Sequence, residues 1–458
     1  MRYLLALVLI AALVAGGVFV YAGRLPGPVV EIAKPTKYVG QSTPVEVEIS
    51  TPGAKVDTIT IAFEQNGRQT PLFSLASPGS AEVKQESVDK VRVTRTIDRE
   101  AVPDLKTGPA RIIVTATRPV LRAMRKRQTI ATRDVQVRLE KPTIAVLSTK
   151  HYVNLGGSEM VVYRAMPGDI ESGIQVGDLT YPGYPASGAK LEGVHISDPA
   201  VKIAFFALRF DQDVNTPMYA YARDEAGNSA RADFDKLTFP KPFKRSRIEL
   251  NDSFLNRVVP AVLETTTEVK PEGDTLQKFL VINGELRRKN AEKIASFARQ
   301  SSPEMLWAGV VFHPFTSSAV EAAFADQRTY IYQGKEVDRQ VHLGFDLAKV
   351  VNSPVVSANK GKVVYAAPLG IYGNCVIVDH GMGVQSLYAH LSSIGVQPGQ
   401  EVAKEQELGR SGQTGLAGGD HLHFTMLVNG QMVNPVEWWD RHWIQDRIIR
   451  KLKEASGS

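Results

Sequence analysis

Runs of alternating β-branched and polar residues, broken by turn residues at short spacing, constrain this chain more than any other feature. "TPVEVEIS", "DTITIAFEQNG", "ARIIVTAT" and "RDVQVRLE" follow one another between Pro26 and Lys141. Alternation with a period of two buries one face of a strand and wets the other, so a β-sandwich is expected. A second set, with "MVVYRAM", "VKIAFFALRF" and "MYAYARDEAGNSARADF", runs to Phe239. A length of 458 residues sets a prior of about three domains. The one cysteine, Cys375, rules out an intrachain disulfide, so cores alone must hold these domains. It lies in the alternating run "GNCVIVDHG" and reads as a small buried thiol. Fifty-four Lys+Arg against 48 Asp+Glu leave +6, too slight to call for a nucleic-acid partner.

The second β set contains "YARDEAGN", which resembles the closing hairpin of bacterial immunoglobulin-like modules. Asp224, Gly227 and Asn228 then serve as turn formers rather than as a calcium site. Two immunoglobulin-like β-sandwich modules are expected, over 26–141 and 142–240. Past Pro240, "RIELNDSFLNRVVPAVLETT" and "DTLQKFLVINGELRRKNAEKIASFARQ" show helical spacing, with Phe279, Leu280, Ile282, Leu286, Ile294 and Phe297 on one face. Thr275 or Asp274 is the cap. This is a helical bridge over 241–305, or else a lid or partner surface for the domain that follows. Glycine-punctuated strands over 306–440 predict a compact antiparallel β domain. The tail 441–458 reads as an amphipathic helix that docks through Trp443, Ile444, Ile448 and Leu452. The fold class is mainly β and multidomain. A basic cluster of Arg118, Arg122, Arg125, Lys126 and Arg127 reads as a solvated loop.

The first segment, "YLLALVLIAALVAGGVFVY" from Tyr3 to Tyr21, carries no charge. Its length approaches the ~20 residues of a membrane-spanning helix and exceeds the core of a cleaved signal. An N-terminal transmembrane anchor is favoured, although Val20 and Ala22 before Gly23 also fit a signal peptide over 1–25. Either way the chain is exported.

Seven of the nine histidines stand from His313 onward. "GGDHLHFTM" places His421 and His423 two apart at the head of an alternating run, on one face of a strand and ~7 Å apart. "HLGFDLA" places His342 and Asp346 four apart, ~13 Å in an extended strand and too far for one ion. The backbone must therefore bend, and Gly344 eases the bend. "SLYAHLS" adds His390. A catalytic zinc takes three protein ligands and keeps one position for water. Five candidates leave two imidazoles beside that water, where they can move protons. The chemistry of the residues does not choose which three bind. His380, in "VDHGMG", reads as a hairpin residue; His151, His195, His313 and His442 have no partner pattern.

"HLGFDLA", "GNCVIVDHG", "LYAHLS", "VQPGQEV" and "GQTGLAGGDHLHF", in this order, resemble the LytM and lysostaphin-type zinc metallopeptidases of the bacterial cell wall. The resemblance covers roughly Val341 to Pro435. It implies one Zn2+ per chain held by His342, Asp346 and His423, with His390 and His421 as the free catalytic imidazoles. It further implies an exported peptidoglycan endopeptidase on the outer side of the cytoplasmic membrane, cutting cross-links or stem peptides, with an envelope protein as a further partner. The alternative is a LytM-like regulator or scaffold that binds the wall or activates an amidase without cleaving. That class is marked by missing ligands, and all five residues are present. Tyr330 and Tyr332, just upstream, either line the groove or pack.

Overall fold

In the computed structural model, residues 2–51, 54–121 and 124–457 are described, apart from the side chains of residues 2, 4 and 5. The alternation in "STPVEVEIS" becomes the strand Ser42–Ser50, which buries Val45, Val47 and Ile49 while Glu46 and Glu48 stay partly exposed. Its sheet runs Val29–Lys34, Ser42–Ser50, Lys90–Asp98, Glu82–Ser87. A second sheet runs Tyr38–Val39, Arg125–Val137, Gly108–Val120, Thr58–Gln65, Arg68–Ser74. Val47 and Val93 of the first share one core with Ile61, Ile112 and Val114 of the second. Each such side chain, fully buried, contributes about 1.5–3 kcal/mol.

Met1–Pro142 with Arg223–Ser229 form one compact unit; Thr143–Ala222 with Ala230–Ser458 form another. In the second unit, the sheet Thr143–Val146, Ser158–Met166, Val201–Ala207, Tyr184–Pro185 packs with the sheet Leu179–Pro182, Glu171–Val176, Met218–Arg223, Ser229–Ala232, of which only the end residues Arg223 and Ser229 count with the first unit. Two-layer β packing is what the strands show; an immunoglobulin-like identity goes beyond it. Asp224 is indeed a turn former: its carboxylate accepts from the Asn228 backbone N–H at 2.8 Å and from Asn228 Nδ2 at 2.9 Å.

The leading segment is the helix Arg2–Ala22. Among the described residues no helix is long and apolar enough to cross a membrane, so the transmembrane anchor expected there is not shown. Of the basic cluster, Arg122 lies outside the described residues. Arg125 Nη1 and Arg127 Nε instead donate to backbone carbonyls of Phe19 and Leu25, both at 2.8 Å.

The helical spacing begins later than the sequence suggests. Arg245–Leu250 is a strand with alternating burial, paired parallel with Asp326–Tyr332, which pairs in turn with Lys335–His342. The helix Asp252–Thr265 starts where the Asn251 side chain caps the Phe254 N–H at 2.8 Å. Asp274 caps the next helix in a reciprocal box with Gln277. Phe279, Ile282, Leu286, Ile294 and Phe297 are buried, as the apolar face requires, while Leu280 is half-buried.

The sheet that carries the site is antiparallel, in the order Ala319–Ala322, Phe345–Ala348, Leu422–Val428, Val384–Leu391, Asn374–Gly381, Gly361–Pro368, Glu401–Val402. Beyond it the chain runs helically from Arg441 to Ser456 and buries Ile444, Ile448 and Leu452. Lys451, 1% exposed, meets Glu159, 0% exposed, at 2.9 Å and donates to Met160 O at 2.9 Å. Trp438 Nε1 donates to Ser158 Oγ at 3.1 Å. The tail is thus docked on the strand Ser158–Met166.

Candidate metal centre

His342 closes the strand Lys335–His342, the backbone bends at Leu343–Gly344, and Phe345–Ala348 resumes. Gly344 is needed for room rather than for an unusual backbone angle: a Cβ there would lie 2.5 Å from His423 Nε2 and 2.9 Å from Phe424 O. The bend brings Asp346 opposite His423 in the antiparallel register Phe345↔Phe424, Asp346↔His423, Leu347↔Leu422.

Three donor atoms converge. His342 Nε2 lies 2.9 Å from Asp346 Oδ1 and 3.0 Å from His423 Nδ1, and His423 Nδ1 lies 3.0 Å from Asp346 Oδ1. Ligands at ~2.05 Å in a tetrahedron would sit ~3.3 Å apart, so this triangle has nearly the right edge for one face of a zinc site. All three residues are buried, and two imidazoles with a carboxylate suit that ion. His423 turns Nδ1 to the cluster, while its buried Nε2 faces Gly344 and has no hydrogen-bond partner among the described residues.

Backbone carbonyls aim the other rings. His342 Nδ1 lies 3.1 Å from Ala323 O, His390 Nδ1 2.8 Å from Thr414 O, and His421 Nδ1 2.9 Å from Gly419 O. A carbonyl can only accept, so Nδ1 is the donor in each contact and Nε2 is left for other partners. His421 Nε2 reaches to 3.4 Å from Asp346 Oδ1. The His390 ring centroid is 4.9 Å from that of His421 and 5.7 Å from that of His423. All five residues foreseen from the sequence are therefore neighbours.

Burial would raise the Asp346 carboxyl, but the neighbouring His342 and hydrogen bonding with His342, His421 and His423 hold it well below the usual carboxylate range. Burial, reinforced by His421 and His423, pushes His390 well below the usual imidazole value. His421 is raised, because hydrogen bonding and charge from Asp346 outweigh its burial. Burial brings His423 down to about 4 despite Asp346.

Residues 340–435 match the model of Peptidase family M23. This segment is an M23 peptidase domain. The chain is 38% identical over 96 residues to the peptidoglycan DD-endopeptidase ShyA of Vibrio cholerae, covering 21% of this chain and 22% of ShyA. It is 39% identical over 97 residues to the DD-carboxypeptidase/endopeptidase Mpg of Neisseria meningitidis, 21% of this chain and 22% of Mpg. It is 35% identical over 96 residues to the murein hydrolase activator NlpD of Salmonella dublin, 21% of this chain and 25% of NlpD. The chain thus spans about a quarter or less of the length of the curated relatives it matches.

Several residues around the M23 site escape sequence reasoning. Arg328 Nη2 donates to Asp346 Oδ2 at 3.1 Å, and its Nε donates to Asp326 Oδ2 at 3.3 Å. Asp326 in turn accepts from Ser246 Oγ at 2.8 Å. A cavity of ≈ 150 Å³ opens on the cluster, and helical residues outside the M23 segment, Phe254, Phe279, Asn283 and Arg287, wall it. Tyr330 lines this cavity, whereas Tyr332 donates to Asp252 Oδ1 at 2.7 Å. Asp420 stays out of the cluster and ties the glycine loop down through Ser411 Oγ at 2.6 Å and the Asn352 N–H at 3.1 Å.

The remaining histidines stand apart. His380 is fully buried, 2.8 Å from Lys360 O and 2.7 Å from Ser386 Oγ. His151 is buried against Ser148 and Asp235. Cys375 is buried, and burial pushes its thiol far up, away from reactivity.

Proposed function

We propose that this chain is an exported zinc-dependent endopeptidase that hydrolyses peptide bonds of bacterial peptidoglycan. One observation carries the reading: His342 Nε2, Asp346 Oδ1 and His423 Nδ1 form a triangle of 2.9–3.0 Å edges, with two further imidazoles on its flank. His342, Asp346 and His423 would hold the ion. Zinc, when bound, supplies Lewis acidity that lowers the pKa of water toward ~7. His390, kept neutral by burial and with its Nδ1 proton committed to Thr414 O, has Nε2 free to accept a proton. His421, which holds its proton more readily beside Asp346, would donate to the developing oxyanion. Tyr372, buried with its ring 5.5 Å from that of His423, packs the ligand from behind.

The leading apolar segment would serve as signal or membrane anchor, and the two sandwiches would be immunoglobulin-like modules between it and the M23 domain. The ShyA and Mpg likenesses support peptidoglycan as substrate, within the M23 segment only.

A second reading has its own support. All five site residues are less than a tenth exposed, and NlpD is named as an activator. On this reading the chain binds the wall and stimulates another hydrolase. Purified full-length chain incubated with cell-wall sacculi, followed by mass spectrometry of released muropeptides, separates the two. Zinc-dependent release lost in His423→Ala supports the peptidase; bound zinc without release supports the regulator.

A further inference from the structure

Beside the metal cluster, the helical wall presents one cation that the proposed hydrolysis does not use. Arg287 lines the ≈ 150 Å³ cavity together with His342, Asp346, His390, His421 and His423. The other guanidinium on this cavity, Arg328, is committed to Asp346 and Asp326. Arg287 has no carboxylate within ion-pair distance among the described residues. Its Nη2 donates to Asn283 Oδ1 at 2.6 Å and its Nε to Asn283 O at 3.0 Å. These bonds pin one edge of the guanidinium and leave Nη1 without an acceptor among the described residues.

The pin is itself fixed. Asn283 is 0% exposed, and its Nδ2 donates to Asp338 Oδ2 at 2.8 Å. That orientation leaves Oδ1 as the acceptor for Arg287. A half-buried cation held in a set direction, with donors to spare, is arranged to take a planar anion. Buried Tyr372 lines the same cavity as Arg287 and meets the His423 ring edge-on at 5.5 Å. The cavity has room for a small group such as a carboxylate beside the cluster.

We infer that Arg287 forms a carboxylate-binding subsite, and that the peptide this site accepts bears an acidic group beside the bond to be cut. The subsite rests on the peptidase reading for its substrate, but its affinity can be measured without turnover. Arg287 lies outside the segment matched by the M23 model, so the preference belongs to this chain's helical wall.

The test is equilibrium binding of two synthetic wall peptides to the full-length chain, identical except that the side carboxylates of one are amidated. The acidic peptide is expected to bind about tenfold more tightly. Arg287→Gln should remove that difference by weakening only the acidic peptide, and Arg287→Lys should keep part of it. Unchanged melting of both variants, with unchanged affinity for the amidated peptide, marks the effect as local. Equal affinity of the wild-type chain for the two peptides overturns the subsite, as does discrimination that survives Arg287→Gln. A failure of the peptidase reading looks different: the acidic peptide is bound preferentially but never cleaved in the presence of zinc.

Discussion

Arg328 Nη2 grips Asp346 Oδ2 at 3.1 Å while Asp346 Oδ1 faces the imidazoles of His342 and His423. The carboxylate is thereby split into an oxygen for the protein and an oxygen for an ion. Arg328→Met should free Asp346 to rotate and weaken zinc binding by about 10–100-fold, the usual effect of losing a group that orients a ligand. Competition with a chromogenic chelator measures this, and an unchanged affinity would show that the guanidinium has no part in aiming Asp346.

Gly344 makes a second demand on the same geometry. Gly344→Ala puts a methyl group 2.5 Å from the His423 ring, so the strand Leu422–Val428 or the bend must shift. A destabilisation of about 1–3 kcal/mol is expected, together with weaker zinc binding. Thermal melts with and without zinc report both, and a variant as stable and as zinc-avid as the wild type would mean that the bend has slack.

His390→Ala and His421→Ala should retain close to one zinc per chain while turnover on sacculi falls by about 10²–10⁴. His342→Ala and His423→Ala should lose the metal itself. Elemental analysis beside muropeptide release distinguishes these outcomes, and loss of zinc from the His390 variant would reassign that residue as a ligand.

Much of this was legible in the chain, for reasons that mark the boundary of what was not. His421 and His423 share a face because a strand has a period of two, and a four-residue gap between His342 and Asp346 forced a bend. Both are local rules. Arg328 pairs with Asp346 across 18 positions and two strands, and Arg287 reaches the cavity from a helix whose sequence signals only burial of Ile282 and Leu286. Such meetings depend on sheet register and helix docking, which no local pattern encodes. The signal for Arg245–Leu250 as a strand was its alternation, masked by the helical run immediately after it.

Acid should loosen the sheet that carries the site. Burial depresses His380 to about 4 from the ordinary 6.5, with Lys360 O working in the opposite direction. Between those values the unfolded chain binds the proton and the folded chain does not, so stability rises with pH. The contribution is complete above 6.5 and is lost as pH falls toward 4, by at most about 3 kcal/mol. Hydrogen exchange of amides in Asn374–Gly381 should therefore quicken from pH 6.5 to 4.5 beyond its intrinsic pH dependence. His380→Asn should flatten that excess, and an excess of equal size in the variant would move the cause elsewhere.

Docking of the tail can be tested through its buried ion pair. Lys451→Met leaves enclosed Glu159 with only Arg447 at 4.0 Å as a cation and should cost about 3–5 kcal/mol, whereas Lys451→Met with Glu159→Gln should recover much of that loss. Denaturant unfolding of the two variants is the comparison; equal losses would mean that the pair is not coupled.

The direct cross-strand opposition of Asp346 and His423 sets a rule about chain length. One residue inserted within Phe345–Ala348 or Leu422–Val428 would turn a ligand to the far side of the sheet and abolish the grip. The connections on either side, 349–353 and 412–420, carry no such parity, although Thr414 O and Gly419 O within the second still aim His390 and His421. The ion would then act as a proofreader of strand frame, closing only when both segments have zipped in step.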